Sequence, residues 1–465
     1  MLPGHTACTW LQQLNIITMN KYLLLPVCFA VYITTVTAQK FTPIFNGKDL
    51  TGWHVLSGNA GYTVKDGMIE GTTAANATTS FLVTDKSYGD FVLQLEVKTD
   101  ATVNSGIQVR SESKDDYLNG KVYGYQVEVD PSDRAWTGGI HDVNQKGWLY
   151  PLTYNPPAQK AYKQGDWNKL YIECIGNHIR TWLNGVPAAD LVDDGAAAGF
   201  IGLQVHDLNN TPGGHVYFKN IQLQATGVKA KPITNIYVVN NIPNTVSEQE
   251  KKNGVQLLFD GKTNTGWRGI YKQTFPDKGW EIKDGILTIH SSNGQEEGLG
   301  GDIVTEKEYS AFELDFDFKL TPAANSGVKY FVKETYDSKG KSGIGLEYQV
   351  LDDSLHPDAK LGLNGDRTLS SLYDLIARKN IPAALKKIGE WNHGRILVYA
   401  NNHVEHWLNG YKVLEYEKGS KDFLDAVAIS KYKVWPNFGL WPNGHILLQD
   451  HGNEVSYRSI KIKVL

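Results

Sequence analysis

The chain has 465 residues, a length that fits two or three domains, and its 46 basic and 50 acidic residues leave a formal charge of −4. Mixed charge of that size offers no basic face for nucleic acid. Aromatic residues are plentiful, with 24 Tyr and 12 Trp, which suits β-structure and flat binding surfaces.

Residues 1–38 read as a signal peptide. Lys21 precedes an apolar run from Tyr22 to Val36, and Val36-Thr37-Ala38 puts small residues at the cleavage positions; Met19 is an alternative start. An uncleaved anchor is the competing reading, and Leu25-Pro26-Val27-Cys28 is a poor lipoprotein box because Val sits where a small residue is expected. Cleavage removes Cys8 and Cys28 and leaves Cys174 alone, so no internal disulfide forms. The expected mature protein is periplasmic or secreted, with no further apolar run of membrane-spanning length.

Beyond the signal the chain repeats itself. Phe45-Asn46-Gly47-Lys48 to Trp53 returns as Phe259-Asp260-Gly261-Lys262 to Trp267, and five further blocks follow in the same order. Asn104-Ser105-Gly106 pairs with Asn325-Ser326-Gly327, Gly165 to Asn168 with Gly389 to Asn392, and Trp182-Leu183-Asn184-Gly185 with Trp407-Leu408-Asn409-Gly410. Gln204-Val205-His206 pairs with Gln449-Asp450-His451, and Val216 to Ile221 with Val455 to Ile460. The period is too long for a solenoid unit, so two complete domains are expected, at 41–226 and 253–465, with 227–252 as a polar linker. Ile236 to Val239 adds a short strand inside that linker.

Both domains read as β. Phe91 to Lys98 and Phe312 to Lys319 alternate apolar and polar, the mark of half-buried antiparallel strands. Lys65-Asp66-Gly67 and Lys283-Asp284-Gly285 are hairpin turns, as are Asn177-His178, Asn184-Gly185, Asn401-Asn402-His403 and Asn409-Gly410. Many short strands with regular turns predict an all-β fold, a sandwich or jelly roll in each half. Leu369 to Lys387 is the exception, expected to hold one or two short helices interrupted at Pro382.

Several constellations carry chemistry. In Tyr123 to Asp130, alternation places Gln126, Glu128 and Asp130 on one face, where burial in a core would be costly; an open concave cleft suits them better. Glu347 and Gln349 share a face in the second copy, with the two residue types exchanged. A plain solvated sheet face is the alternative. Gln204 with His206, and Gln449 with His451, form a second recurring pair, and histidine moves protons near neutral pH. Loop residues Arg134, Trp136, His141 and Trp148 in one half, and His356 and Tyr373 in the other, are candidate cleft walls that bind substrate. Arg180 beside Trp182, and His406 beside Trp407, are further candidates, although Arg180 is offset by one position from His406. No metal motif, phosphate loop or Gly-x-Ser-x-Gly elbow occurs, so no cofactor is expected, and a divalent cation held across strands stays open.

Taken together, the Phe-Asn-Gly-Lys-x-Leu-x-Gly-Trp, Asn-Ser-Gly-Ile, Gly-Tyr-Gln-Val-Glu, Gly-x-Trp-Asn, Trp-Leu-Asn-Gly and Gln-x-His runs resemble the 3-keto-disaccharide hydrolase domain family, once per half. That resemblance implies a concanavalin-like jelly roll and an exported enzyme that cleaves glycosides already oxidised at C3. A C3 ketone acidifies the C2 proton, so a base, an oxyanion donor and an acid for the leaving group are needed. The residue types assign Glu128, His206, Glu347 and His451 as acid–base candidates, with Gln126 and Gln349 on hydroxyls or the enolate oxygen and Arg134 or Arg180 on the oxyanion of the first half. Two alternatives stay open: a tandem carbohydrate-binding protein without catalysis, and a retaining laminarinase-like hydrolase using Glu128-Val129-Asp130-Pro131-Ser132-Asp133.

Overall fold

Four sheets account for nearly all of the regular structure in a computed structural model, which describes residues 40–76, 78–206, 213–232, 235–295, 298–337 and 340–465. The export signal expected over residues 1–38 lies outside the described residues. The first half supplies a nine-stranded and a seven-stranded sheet, the second an eight-stranded and a five-stranded one. Neighbouring strands run antiparallel, apart from one short parallel pair between Leu191–Val192 and Val239–Asn240. The architecture is all-β: two concanavalin-like jelly-roll sandwiches in tandem.

Alternation decides which side of each strand is core. In the first sandwich, Leu93, Leu95, Val97 and Ile172 of the nine-stranded sheet meet Ile107, Val109, Val127 and Leu203 of the seven-stranded sheet. The intervening residues of the strand Tyr123–Val129 therefore point to the outer face. In the second sandwich Phe312, Leu314, Phe316 and Phe318 meet Val328, Tyr330, Leu346 and Tyr348. Lys40–Leu465 forms one compact unit.

The segment between the sandwiches is packed rather than loose. Tyr237 donates its hydroxyl to Asp315 Oδ1 at 2.7 Å, and its carbonyl accepts from the Tyr150 hydroxyl at 2.9 Å. The strand expected over Ile236 to Val239 forms only at Val239–Asn240. A short helix, Glu248–Lys252, follows it, with Ser247 and Glu250 closing a capping box and Lys461 Nζ 2.9 Å from Glu250.

The helices expected between Leu369 and Lys387 are not formed. The amides of Ser370 and Tyr373 bond to the carbonyls of Gln349 and Glu347, so this stretch lies along the strand Gly340–Leu351 as an irregular neighbour. Ser370 (φ 63°) and Asp374 (φ 59°) take left-handed backbone angles that a helix does not tolerate. Only Pro382–Ala384 makes a single 3₁₀ turn. The second sandwich does carry a helix where none was expected, Lys421–Ile429, capped by the Ser420 hydroxyl and anchored by buried Phe423.

Candidate functional site: an outer-face cleft and its counterpart

The seven-stranded sheet and its loops enclose a cleft of about 620 Å³. Gln126 and Glu128, from the strand Tyr123–Val129, form its floor. Gln204 and His206 reach it from the end of the strand Phe200–Val205, and Asn104 from just before the strand Ser105–Glu112. Arg134, His141 and Trp148 form a side wall. These residues, separated by up to about a hundred positions, meet because Ser105–Glu112 pairs with both Tyr123–Val129 and Phe200–Val205.

Glu128 is buried and held on both oxygens. Asn104 Nδ2 donates to Oε1 at 2.7 Å and Gln126 Nε2 donates to Oε2 at 2.9 Å. Behind them runs a chain of donors: Ser111 Oγ to Gln108 Oε1 at 2.7 Å, Gln108 Nε2 to Gln126 Oε1 at 2.6 Å, and so on to Glu128. The chain fixes which end of the Gln126 amide faces the carboxylate. Gly106 lies across the sheet from Glu128, and any side chain there would collide with Gln126. Burial raises the Glu128 pKa above the ordinary carboxylate range, opposed by Asn104, Gln126 and the Arg134 guanidinium, which lies 3.8 Å from Oε1.

Arg134 sits at the tip of the loop that joins Tyr123–Val129 to Ile140–Val143. The Gly138 amide donates to the Glu128 carbonyl and the Glu128 amide to the Gly139 carbonyl, which draws the loop closed. Asp130 Oδ2 takes a hydrogen bond from Arg134 Nε at 2.7 Å, and the guanidinium lies over the rings of Trp136 (4.6 Å) and Trp148 (5.0 Å). His141 stacks edge-on against Trp148; burial, with help from Arg134, pushes its pKa down to about 4, so the ring is neutral at physiological pH. Gln204 is buried at the cleft and its Oε1 has no donor among the described residues, an acceptor suited to a ligand hydroxyl.

Four substrate-binding expectations are corrected. Asp130 does not line the cleft: although burial pushes its pKa up, the Ser132 hydroxyl and Arg134 outweigh this and leave the carboxylate below its usual range, serving to hold Arg134. Trp136 is buried beneath Arg134 and Trp148. Arg180 lies on the nine-stranded sheet, its neighbours Ile179 and Leu183 in the core, so it points out of the opposite side of the sandwich and pairs with Glu173. His406 is fully buried in the second core, Nε2 2.8 Å from the Tyr330 hydroxyl and Nδ1 3.0 Å from the Ser370 carbonyl. The one-residue offset between Arg180 and His406 explains the split, since adjacent strand positions face opposite ways.

In the second sandwich the matching positions carry a different set. Gly327 pairs with Gln349 as Gly106 pairs with Glu128, so Gln349 occupies the Glu128 position and Glu347 that of Gln126. Lys329 stands opposite Glu347, where the first sandwich has Gln108. Gln349 Nε2 donates to Asn325 Oδ1 at 3.3 Å, and its Oε1, like that of Gln204, has no donor among the described residues. Tyr373 donates to Asp358 at 2.8 Å, with Lys431 Nζ over its ring at 4.3 Å, and Lys431 is electrostatically coupled to Glu347. His356 and His451 approach with ring centroids 6.0 Å apart, and Gln449, two residues before His451, is buried.

The sequence reasoning missed Asn104, Gln108 and Lys431 as site residues. Asn104 carried a signal, its recurrence as Asn325; Gln108 carried a weaker one, sharing a strand face with Gly106. Lys431 belongs to a segment without a counterpart in the first half. Among the described residues, His403, Glu405 and Glu415 bring ligand atoms within 4.8 Å of one another, but Lys412 pairs with both carboxylates and the group lies on the eight-stranded sheet, not on the outer face that carries Glu347 and Gln349. No described helix is long and apolar enough to cross a membrane.

The sugar-sized cleft, with a buried carboxylate, a guanidinium and a histidine in its lining, is that of a carbohydrate hydrolase, the class to which the relatives of this chain point. Residues 40–224 and 254–463 each match the 3-keto-alpha-glucoside-1,2-lyase-like domain, and the chain belongs to that family. It is 40% identical over 233 residues to a 3-keto-disaccharide hydrolase of Bacteroides thetaiotaomicron, an overlap that takes in 46% of this chain and 79% of that protein. Two crystal structures of candidate glycosyl hydrolases from Parabacteroides distasonis are also similar. One is 34% identical, with a TM-score of 0.42 over 48% of this chain and 99% of that one; the other is 27% identical, with 0.31 over 43% and 99%.

Proposed function

We propose that the protein cleaves glycosides that carry a ketone at C3 by removing the C2 proton, expelling the C1 substituent and adding water. The observation that carries this reading is the 3.8 Å approach of Arg134 to Glu128 in the cleft that His206 also lines. The C2 proton and the C3 oxygen sit on adjacent carbons, so the base and the oxyanion donor must be close neighbours. Glu128, made more basic by burial, takes the C2 proton while Arg134 stabilises the negative charge that develops on the C3 oxygen. The C1–O bond breaks as the C1–C2 double bond forms, and His206 protonates the departing oxygen. Water then adds hydroxide at C1 and a proton at C2, for net hydrolysis. Gln204 accepts a sugar hydroxyl. In the second cleft Glu347, Lys431 and His451 take the parts of base, cation and acid.

The gathering of Glu128, Arg134 and His206 at one cleft favours catalysis over plain glycan binding. Asp130 engaged by Ser132 and Arg134, and Asp133 exposed in the loop, weigh against a retaining carboxylate pair. The export signal read in residues 1–38 would place the reaction in the periplasm or outside the cell, and N-terminal sequencing of the mature protein tests that point.

The reaction is tested by incubating the full chain with an aryl 3-keto-glucoside beside its unoxidised parent. Aglycone is expected from the ketone alone; release from the parent, or from neither, overturns the proposal. His206→Ala and His451→Ala are each expected to remove one component of the activity and the double variant all of it. Full activity in the double variant would rule out the histidine assignment.

A further inference from the structure

The wall of the first cleft is backed by the second sandwich. Tyr411 follows the Asn409-Gly410 turn between the second-sandwich strands His403–Leu408 and Tyr411–Glu417. Its ring lies 6.1 Å from that of Trp136 in the first sandwich, and Tyr411 packs against the first core. Trp136 meets Trp148 edge-on at 4.5 Å, and Arg134 rests on both rings. A continuous stack therefore runs from Tyr411 through Trp136 to Arg134, and from Arg134 to the Glu128 carboxylate.

The junction is fastened beside Tyr411. The Thr153 hydroxyl donates to the Gly410 carbonyl, and Tyr154 stacks on Trp407 at 5.8 Å. Gly410 is left-handed (φ +89°), and a Cβ there would stand 2.6 Å from Pro151 Cγ, so the turn fits against the first sandwich only without a side chain. Arg134 itself is not deeply held: its side chain is 42% exposed and Asp130 is its close ionic anchor. Its aim over Trp136 depends on where that ring is kept.

We propose that Tyr411 is a positioning residue, through which the second sandwich sets the orientation of Arg134 and so the reactivity of the first cleft. The inference rests on the reading of Arg134 as the oxyanion donor. It also gives the tandem arrangement a physical consequence: the ring that backs Arg134 is held from behind by the second sandwich.

The test uses the full chain carrying Glu347→Gln, so that turnover reports the first cleft. Tyr411→Ala is expected to lower kcat on the 3-keto-glucoside about tenfold with KM changed less than about twofold, because small misplacements of a transition-state donor act on kcat. Tyr411→Phe, which keeps the ring, restores kcat. Gly410→Ala, which displaces the same turn, reproduces the loss. In an Arg134→Gln background Tyr411→Ala adds no further loss. A readout independent of turnover is the His141 titration followed by NMR, since Arg134 helps to hold that ring neutral; its midpoint rises in Tyr411→Ala. Wild-type kcat and an unmoved His141 midpoint in Tyr411→Ala, or a fully additive loss with Arg134→Gln, overturn the proposal. If the Glu347→Gln parent does not turn over the ketone at all, the proposed reaction fails for this cleft, and the His141 midpoint still decides the coupling.

Discussion

Asn104 donates its side-chain amide to Glu128 Oε1 at 2.7 Å, whereas its counterpart Asn325 accepts from the Gln349 amide at 3.3 Å. The same asparagine, at the same sheet position, supports a carboxylate in one sandwich and an amide in the other. The two outer faces share a frame and differ in where the charge sits.

Removing the Asn104 donor therefore acts on Glu128 directly. A hydrogen bond to the ionised form lowers a carboxyl pKa, so its loss in Asn104→Ala raises that of Glu128 further. The acid limb of the kcat/KM profile moves to higher pH, and activity at pH 6 falls about tenfold. A pH–rate series in a Glu347→Gln chain checks this, and an unmoved acid limb counts against Glu128 as the base.

Glu128→Gln is expected to lose at least about a hundredfold in first-cleft activity. It also changes how stability depends on pH. The folded pKa of Glu128 is raised, so its contribution is fully present below the unfolded value and is lost as pH rises through the folded one. The variant carries no such loss. Its Tm relative to wild type should climb between pH 4 and pH 8 in a thermal-melt series, and a constant or falling difference would contradict the buried-carboxylate assignment.

Gln204 presents a buried Oε1 with no donor among the described residues. Replacing it by Met removes an unmet acceptor while keeping volume, so Tm changes by no more than a few degrees. If a sugar hydroxyl fills that acceptor, KM rises about three- to tenfold, the worth of one neutral hydrogen bond. Unchanged KM in steady-state kinetics would remove Gln204 from the binding set.

His393 lies between Asp315 (3.2 Å) and Asp317 (3.0 Å), under the Tyr237 hydroxyl that joins the sandwiches. Burial alone would lower its pKa, but the two aspartates outweigh it and raise the value to about 9. A raised histidine stabilises the fold below its unfolded pKa near 6.5, and the contribution is lost as pH rises through about 9. Wild type should lose more Tm than His393→Asn between pH 6.5 and pH 9.5; parallel curves in differential scanning fluorimetry would contradict this.

Much of the fold was legible. The hairpin turns at Asp66-Gly67, Asn184-Gly185, Asp284-Gly285 and Asn409-Gly410 carry backbone requirements that few residues meet, and the alternating strands Phe91–Thr99 and Phe312–Leu320 state their buried face outright. The stretch Leu369–Lys387 misled because its composition tolerates a helix, while the edge of the strand Gly340–Leu351 offered its amides better partners. Arg180 and His406 misled because the repeat aligned them only to within one residue, and on a strand one residue is the difference between core and solvent.

The sequence by itself determined the duplicated β-architecture and the outward polar stripe of Gln126 and Glu128, because both follow from period-two patterning and turn chemistry, which are local. Only the tertiary structure decided that Arg134 meets Glu128, that Asp130 holds Arg134 instead of substrate, and that Tyr411 of one sandwich stands behind Trp136 of the other. The first two are set by how one loop closes and the third by the packing of one sandwich on the next, between residues far apart in the chain, and no local pattern records either.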